Sequence, residues 1–273
     1  MPELPEVENV KKGLKELVIN KQIKYVTVLW GNIVKDPIVE TFISEIKGQR
    51  IITIERRGKF LLFVLDDYVL ISHLRMEGKF RVEQSSVPLT KHTHIIFTLD
   101  TGEELRYLDV RKFGRMSLVD KNRVSLHPSL ASLGPEPVCE ELTVEKIRLF
   151  LSNKKRSIKS CLLDQKMVAG IGNIYADEIL FASGIHPARI GESLTSTEIS
   201  KLHHDIIDIM EKAVASGGTT IRTYSNAYGR EGSFQQNLKV YGKAGTACVN
   251  CQTPINKIKI AQRGTHFCPN CQI

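Results

Sequence analysis

Near the start of the chain, Val7, Val10, Leu14 and Leu17 recur at helical spacing with lysines and glutamates between them. One face can therefore pack on a core, and the pattern predicts an amphipathic helix over residues 6–18. From about residue 23 to 119 the period shortens. β-Branched and aromatic runs at residues 23–30, 51–55, 60–65, 69–73, 94–99, 105–108 and 116–119 are separated by turn pairs such as Asp66-Asp67 and Thr101-Gly102. These runs predict a mainly antiparallel β-sandwich or flattened barrel. Leu133-Gly134-Pro135-Glu136-Pro137 breaks both periods and reads as a domain linker.

Helical spacing resumes beyond the linker. Thr143 is the expected N-cap of a helix ending near residue 151, and residues 157–163, 174–182 and 196–216 also read as helices, with the Gly170-Ile171-Gly172-Asn173 turn between two of them. Gly217-Gly218 closes the last helix. The Gly-, Ser-, Asn- and Tyr-rich stretch over residues 219–236 reads as a long loop, of a length that in compact domains is usually functional or disordered.

Composition narrows the partner. The 273 residues carry 38 Lys plus Arg against 30 Asp plus Glu, a net charge of +8, and 42% hydrophobic residues. That is apolar content enough for ordinary cores in two or three domains, and no stretch approaches a membrane span. Cys248-x-x-Cys251 and Cys268-x-x-Cys271 enclose sixteen residues, 252–267, within the window of a four-cysteine zinc site. The alternative is disulfides. No apolar signal segment opens the sequence, and Cys139 and Cys161 are scattered singles, so a cytoplasmic zinc module is expected. A basic chain with such a module points to nucleic acid.

The amino terminus reads Met1-Pro2-Glu3-Leu4-Pro5-Glu6. Proline at position 2 permits methionine removal, which would leave a secondary amine able to attack an aldehydic carbon and form a cationic iminium. Glu3 and Glu6 could divide the acid and base work. Pro5 and the glutamates also suit a plain helix start.

Seven motifs in order connect these features: PELPEV at residues 2–7, RRGKFL at 56–61, HLRMEG at 73–78, DVRKFG at 109–114, LGPEP at 133–137, DQKMVAGIGNIYADE at 164–178 and RGTHFC at 263–268. With them the chain resembles the bacterial formamidopyrimidine-DNA glycosylase family over essentially its whole length. The resemblance implies an α+β multidomain fold: an N-terminal β-sandwich with an amino-terminal helix (residues 1–132), a helix-two-turn-helix module with a lesion-recognition loop (133–234), and a C-terminal β-hairpin zinc finger (235–273). It implies a monomeric base-excision enzyme that removes oxidised purines from duplex DNA and then cuts the strand. Pro2 would be the nucleophile, Glu3 the proton donor, Lys59 the residue for β-elimination and Arg263 that for δ-elimination. Met76, Arg111 and Phe113 would fill the void left by an extruded nucleotide, and His92, Lys154 and Asn173 would contact DNA. Cys248, Cys251, Cys268 and Cys271 would hold one structural Zn2+.

Two departures stand out: Ser160-Cys161 where relatives often carry proline and a bulky residue, and Gln262 where glycine is frequent. Two rival functions remain. An endonuclease VIII-like glycosylase for oxidised pyrimidines usually has glycine where this chain has Leu4. A non-catalytic zinc-finger damage-binding protein would need no joint presence of Pro2, Glu3 and Lys59.

Overall fold

In the computed structural model, which describes residues 1–138, 140–219 and 232–273, the chain forms two compact units. One is built on Met1–Ala131, the other on Ser132–Thr219 and Ser233–Ile273. Cys139 and most of the long loop expected over 219–236 lie outside the described residues.

The first unit opens with α1 (Leu4–Val18), two residues earlier than the apolar spacing alone predicts. The extension comes from its cap: Glu3 is the N-cap, Pro5 sits in the first turn, and Glu3 and Glu6 form a reciprocal capping box that satisfies open N–H groups. Val7, Val10, Leu14 and Val18 point into the core. The strands are β1 (Ile23–Val28), β2 (Val34–Asp36), β3 (Thr53–Arg57), β4 (Phe60–Val64), β5 (Tyr68–His73), β6 (Lys79–Gln84), β7 (Thr93–Leu99), β8 (Glu103–Leu108) and β9 (Arg115–Asp120). They form a four-stranded sheet, β1-β7-β8-β6, and a five-stranded sheet, β2-β9-β5-β4-β3. Every pairing in the two sheets is antiparallel except β2 with β9. Because side chains alternate along a strand, Leu61, Phe63, Leu70, Met116 and Leu118 of one sheet meet Ile95, Phe97, Leu105 and Tyr107 of the other in one core with α1. The short helices α2 (Val39–Ile46) and α3 (Pro128–Ala131) complete this unit.

The second unit holds α4 (Val144–Leu151), α5 (Ile158–Leu162), α6 (Asn173–Ser183) and α7 (Ser196–Ala215). Thr143 Oγ1 accepts from Lys146 N at 3.2 Å, the expected cap, and Thr195 and Glu198 form a full capping box on α7. Helix α6 is buried almost all round and ends at Gly184, whose φ of 71° is the left-handed conformation glycine tolerates best. The chain closes with a hairpin of β10 (Asn256–Ile260) and β11 (Arg263–Phe267). No helix among the described residues is long and apolar enough to cross a membrane.

Candidate active site and metal centre

The first turn of α1 places Pro2, Glu3 and Glu6 together, all buried, beneath an exposed Met1. Glu6 Oε2 accepts from Glu3 N at 2.7 Å, so the two carboxylates are fixed relative to the helix start. Lys59 lies in the two-residue turn joining β3 to β4, behind Gly58 with φ of 54°, and is only 5% exposed. Arg56 fastens this turn to α1. Its Nε donates to Glu8 Oε2 at 2.9 Å, and its guanidinium also donates to Gly58 O at 3.0 Å. Burial pushes the Glu8 carboxyl up, but hydrogen bonds from Lys11 and Arg56 outweigh it and hold the group below its ordinary value.

Two further loops of the same unit carry the expected wedges. Met76 is half-buried in the turn after β5, and Phe113 is 50% exposed in the turn before β9 with the Arg111 guanidinium stacked 4.7 Å from its ring centroid. Neighbouring Lys112, in the left-handed region, sets its Nζ 4.0 Å from the Trp30 ring centroid. Buried Asp109 shapes this loop: Oδ1 accepts from Arg111 N at 3.0 Å, and Oδ2 accepts from Gly114 N at 2.8 Å and from the Tyr107 hydroxyl at 3.3 Å. His92 joins through its backbone, its carbonyl accepting from Asp109 N at 2.9 Å. The Tyr107 hydroxyl sits between the two loops. A Cβ on Gly78 would come within 2.3 Å of that oxygen and one on Gly114 within 1.6 Å, so both loops require glycine there.

In the second unit, Asn173 is the first residue of α6, and its amide nitrogen donates to Gly264 O at 3.0 Å. Lys159, fully buried, donates to Asp177 Oδ1 at 2.6 Å, Thr265 Oγ1 at 2.8 Å and Gly264 O at 3.2 Å. Asp177 Oδ2 in turn accepts from His266 N at 2.8 Å. This network binds β11 to α5 and α6. Arg263 stands exposed at the start of β11, next to the turn residues Ala261 and Gln262, both at positive φ. Lys154 is half-buried after α4 with its ammonium 4.9 Å from the Phe150 ring centroid. Glu178 accepts backbone N–H groups from Lys239, Val240 and Tyr241 at 2.8, 3.0 and 2.8 Å, although burial raises its pKa.

The Sγ atoms of Cys248, Cys251, Cys268 and Cys271 lie within 4.8 Å of one another. Tetrahedral Zn–S bonds of about 2.3 Å imply S–S edges of about 3.8 Å, and the separations of 3.9 Å for Cys248 to Cys271 and 3.4 Å for Cys251 to Cys268 lie close to that edge. Backbone N–H groups of Asn250 and Cys271 point at Cys248 Sγ and Cys268 Sγ at 3.4 Å, as a thiolate requires. The residues present fit one zinc ion.

Thus Pro2, Glu3 and Lys59 share one unit with Met76, His92, Arg111 and Phe113, while Asn173, Lys154, Arg263 and the cysteines belong to the other. Sequence reasoning missed Arg56, Tyr107, Asp109, Lys159, Asp177 and Glu178 as organisers of these loops. Each falls within or beside a recognised motif except Lys159, and that placement was the available signal.

Fold and metal centre define the class: a helix-two-turn-helix zinc-finger protein built onto an N-terminal β-sandwich. Models of the formamidopyrimidine-DNA glycosylase N-terminal domain, of its H2TH domain and of the zinc finger found in FPG and IleRS match residues 1–116, 133–225 and 245–273. The formamidopyrimidine-DNA glycosylase of Enterococcus faecalis is 52% identical over 272 residues, covering 100% of this chain and 97% of that one. That of Listeria innocua is 50% identical, with 100% of each covered. Two Lactococcus lactis FPG structures, a variant with Fapy-dG containing DNA and a complex with abasic-site DNA, superpose with TM-scores of 0.95 and 0.94, each at 42% identity over 99% of both chains. The chain belongs to the formamidopyrimidine-DNA glycosylase family.

Proposed function

We propose that this protein is a bifunctional DNA glycosylase and abasic-site lyase that removes oxidised purines, 8-oxoguanine and formamidopyrimidines, from duplex DNA in the bacterial cytoplasm, acting as a monomer with one structural zinc. The observation that carries the reading is the buried, carboxylate-flanked start of α1 in a chain that covers 97% of a relative in this family. Removal of Met1 frees the Pro2 amine. Its nitrogen bonds to C1′ as the C1′–N bond to the damaged base breaks, and the base leaves with a proton. The C1′–O4′ bond then breaks as the nitrogen lone pair forms the C=N bond, and Glu3, the proton donor at the sugar, protonates O4′. The resulting iminium acidifies the C2′ proton, whose loss expels the 3′ phosphate with Lys59 assisting, and a second elimination assisted by Arg263 expels the 5′ phosphate. Hydrolysis of the remaining iminium returns the amine.

The target base must leave the stack first, at a cost of a few kcal/mol. Met76 and Phe113 occupy the vacated volume, and Arg111 hydrogen-bonds the orphaned base. Lys59, Arg263, Lys154, His92 and Asn173 contact the backbone and position it without reading sequence. The three segments 1–132, 133–234 and 235–273 divide this labour as nucleophile and wedge, groove binder with lesion loop, and finger. Paired duplexes carrying 8-oxoguanine or an oxidised pyrimidine test the substrate class. Faster single-turnover excision of the purine supports it, and preference for the pyrimidine contradicts it.

A further inference from the structure

The outer face of the five-stranded sheet carries a pocket that the proposed chemistry leaves unused. Its volume is about 440 Å³, and its lining includes Lys35, Asp36, His73, Arg75, Arg115 and His127. The register explains the convergence. His73 on β5 pairs with Arg115 on β9, and alternation turns both side chains away from the core. Lys35 lies on β2, the next strand, between Val34 and Asp36, which pair with Met116 and Ser117. Arg75 enters from the turn beyond β5, held by a 2.9 Å hydrogen bond from its backbone N to His73 Nδ1. His127 closes the wall from the segment preceding α3.

Three permanent cations therefore line a pocket whose lining contains one carboxylate, Asp36. Among the described residues Lys35, Arg75 and Arg115 make no ion pair. Two polar atoms at the site, Arg75 Nε and His127 Nδ1, are buried with no hydrogen-bond partner. A buried donor without a partner has lost its hydration uncompensated, and burial first, then repulsion from the Arg115 guanidinium, lowers the Arg75 pKa. A ligand that accepts several hydrogen bonds and carries negative charge relieves both costs. Guanidinium forks match a tetrahedral phosphate oxygen pair.

We infer that this pocket is a binding site for a phosphate group in its dianionic form, supplied either as free inorganic phosphate or as the terminal monophosphate of a DNA strand. The assignment to a strand end rests on the glycosylase and lyase reading, because both eliminations leave terminal phosphates. The pocket itself does not.

The test uses the zinc-loaded full chain without lesion DNA. Inorganic phosphate is titrated against chloride at constant ionic strength, following the His127 ring resonances and the melting temperature. The expected result is a saturable His127 shift with a raised melting temperature, weakened about tenfold to a hundredfold in Arg115→Gln and partly restored in Arg115→Lys. Lys35→Gln, at an exposed position, supplies a second variant and should weaken binding as well. Short single strands ending in a phosphate or a hydroxyl then separate the sources. A phosphate-specific gain lost in Arg115→Gln assigns the strand end, and no gain with an intact inorganic-phosphate response assigns free phosphate. No saturable response to phosphate, or a response equal in wild type and both neutralised variants, overturns the site. Since no excision is read, failure of the glycosylase reading leaves this result independent.

Discussion

Single atoms decide much of the wedge geometry. The Tyr107 hydroxyl fills the space against both Gly78 and Gly114, so Gly114→Ala drives a methyl into it. Overpacking of this kind costs about 1–3 kcal/mol, and urea unfolding of Gly114→Ala should show a loss in that range. Excision of 8-oxoguanine should fall more than cleavage at a preformed abasic site, where no base has to be expelled. A variant of wild-type stability would mean the loops do not close on Tyr107. His73 gives a pH signature. Burial, then the Arg75, Lys59 and Arg115 charges, lower its pKa from 6.5 to about 3, so the folded protein holds it neutral. Below pH 6.5 the unfolded chain binds a proton that the folded one refuses, and stability falls as pH drops toward 3, by at most about 1.4 kcal/mol per pH unit from this group. Denaturant midpoints measured across pH 3 to 6.5 in wild type and His73→Gln check it, the variant losing that part of the slope.

At the scale of elements, the hydrophobic period revealed α1, seven of the nine sandwich strands and the four helices of the second unit, because each buries one face or one stripe. Strand β6 escaped notice since Phe80 and Val82 are its only apolar positions among lysine, arginine, glutamate and glutamine. Helix α2 also went unread: Val39, Phe42, Ile43 and Ile46 keep helical spacing and sit against the core, but only eight residues carry the pattern. The reactive groups were readable through local motifs. Their supports were not, because Lys159 reaches Thr265 across 106 positions and sequence spacing says nothing about such a pairing. That support makes a prediction. Lys159→Met strands Asp177 as a buried, uncompensated carboxylate, and loss of one partner of a buried pair costs about 3–5 kcal/mol. Thermal unfolding should show this, with Asp177→Asn in the same background recovering part of it. No recovery would mean that the ion pair is not the source of the loss.

For the molecule as a whole, the net charge of +8 and the cations assigned to phosphates set how binding responds to salt. Each neutralised phosphate releases condensed counterions, and about five contacts give a slope of log affinity against log salt of about −4 to −5 on duplex DNA. Anisotropy titrations over a salt series measure it, and a slope near zero excludes the proposed backbone contacts. The central claim is that the Pro2 nitrogen, freed of Met1, is the nucleophile. Its most direct measurement is borohydride reduction of the enzyme mixed with 8-oxoguanine duplex, followed by proteolysis and mass spectrometry of the covalent adduct. The account predicts a sugar-derived mass on a peptide that begins at Pro2 and its loss in Pro2→Gly to a small residue of trapping; an adduct on Lys59, or full trapping by protein that retains Met1, would contradict it.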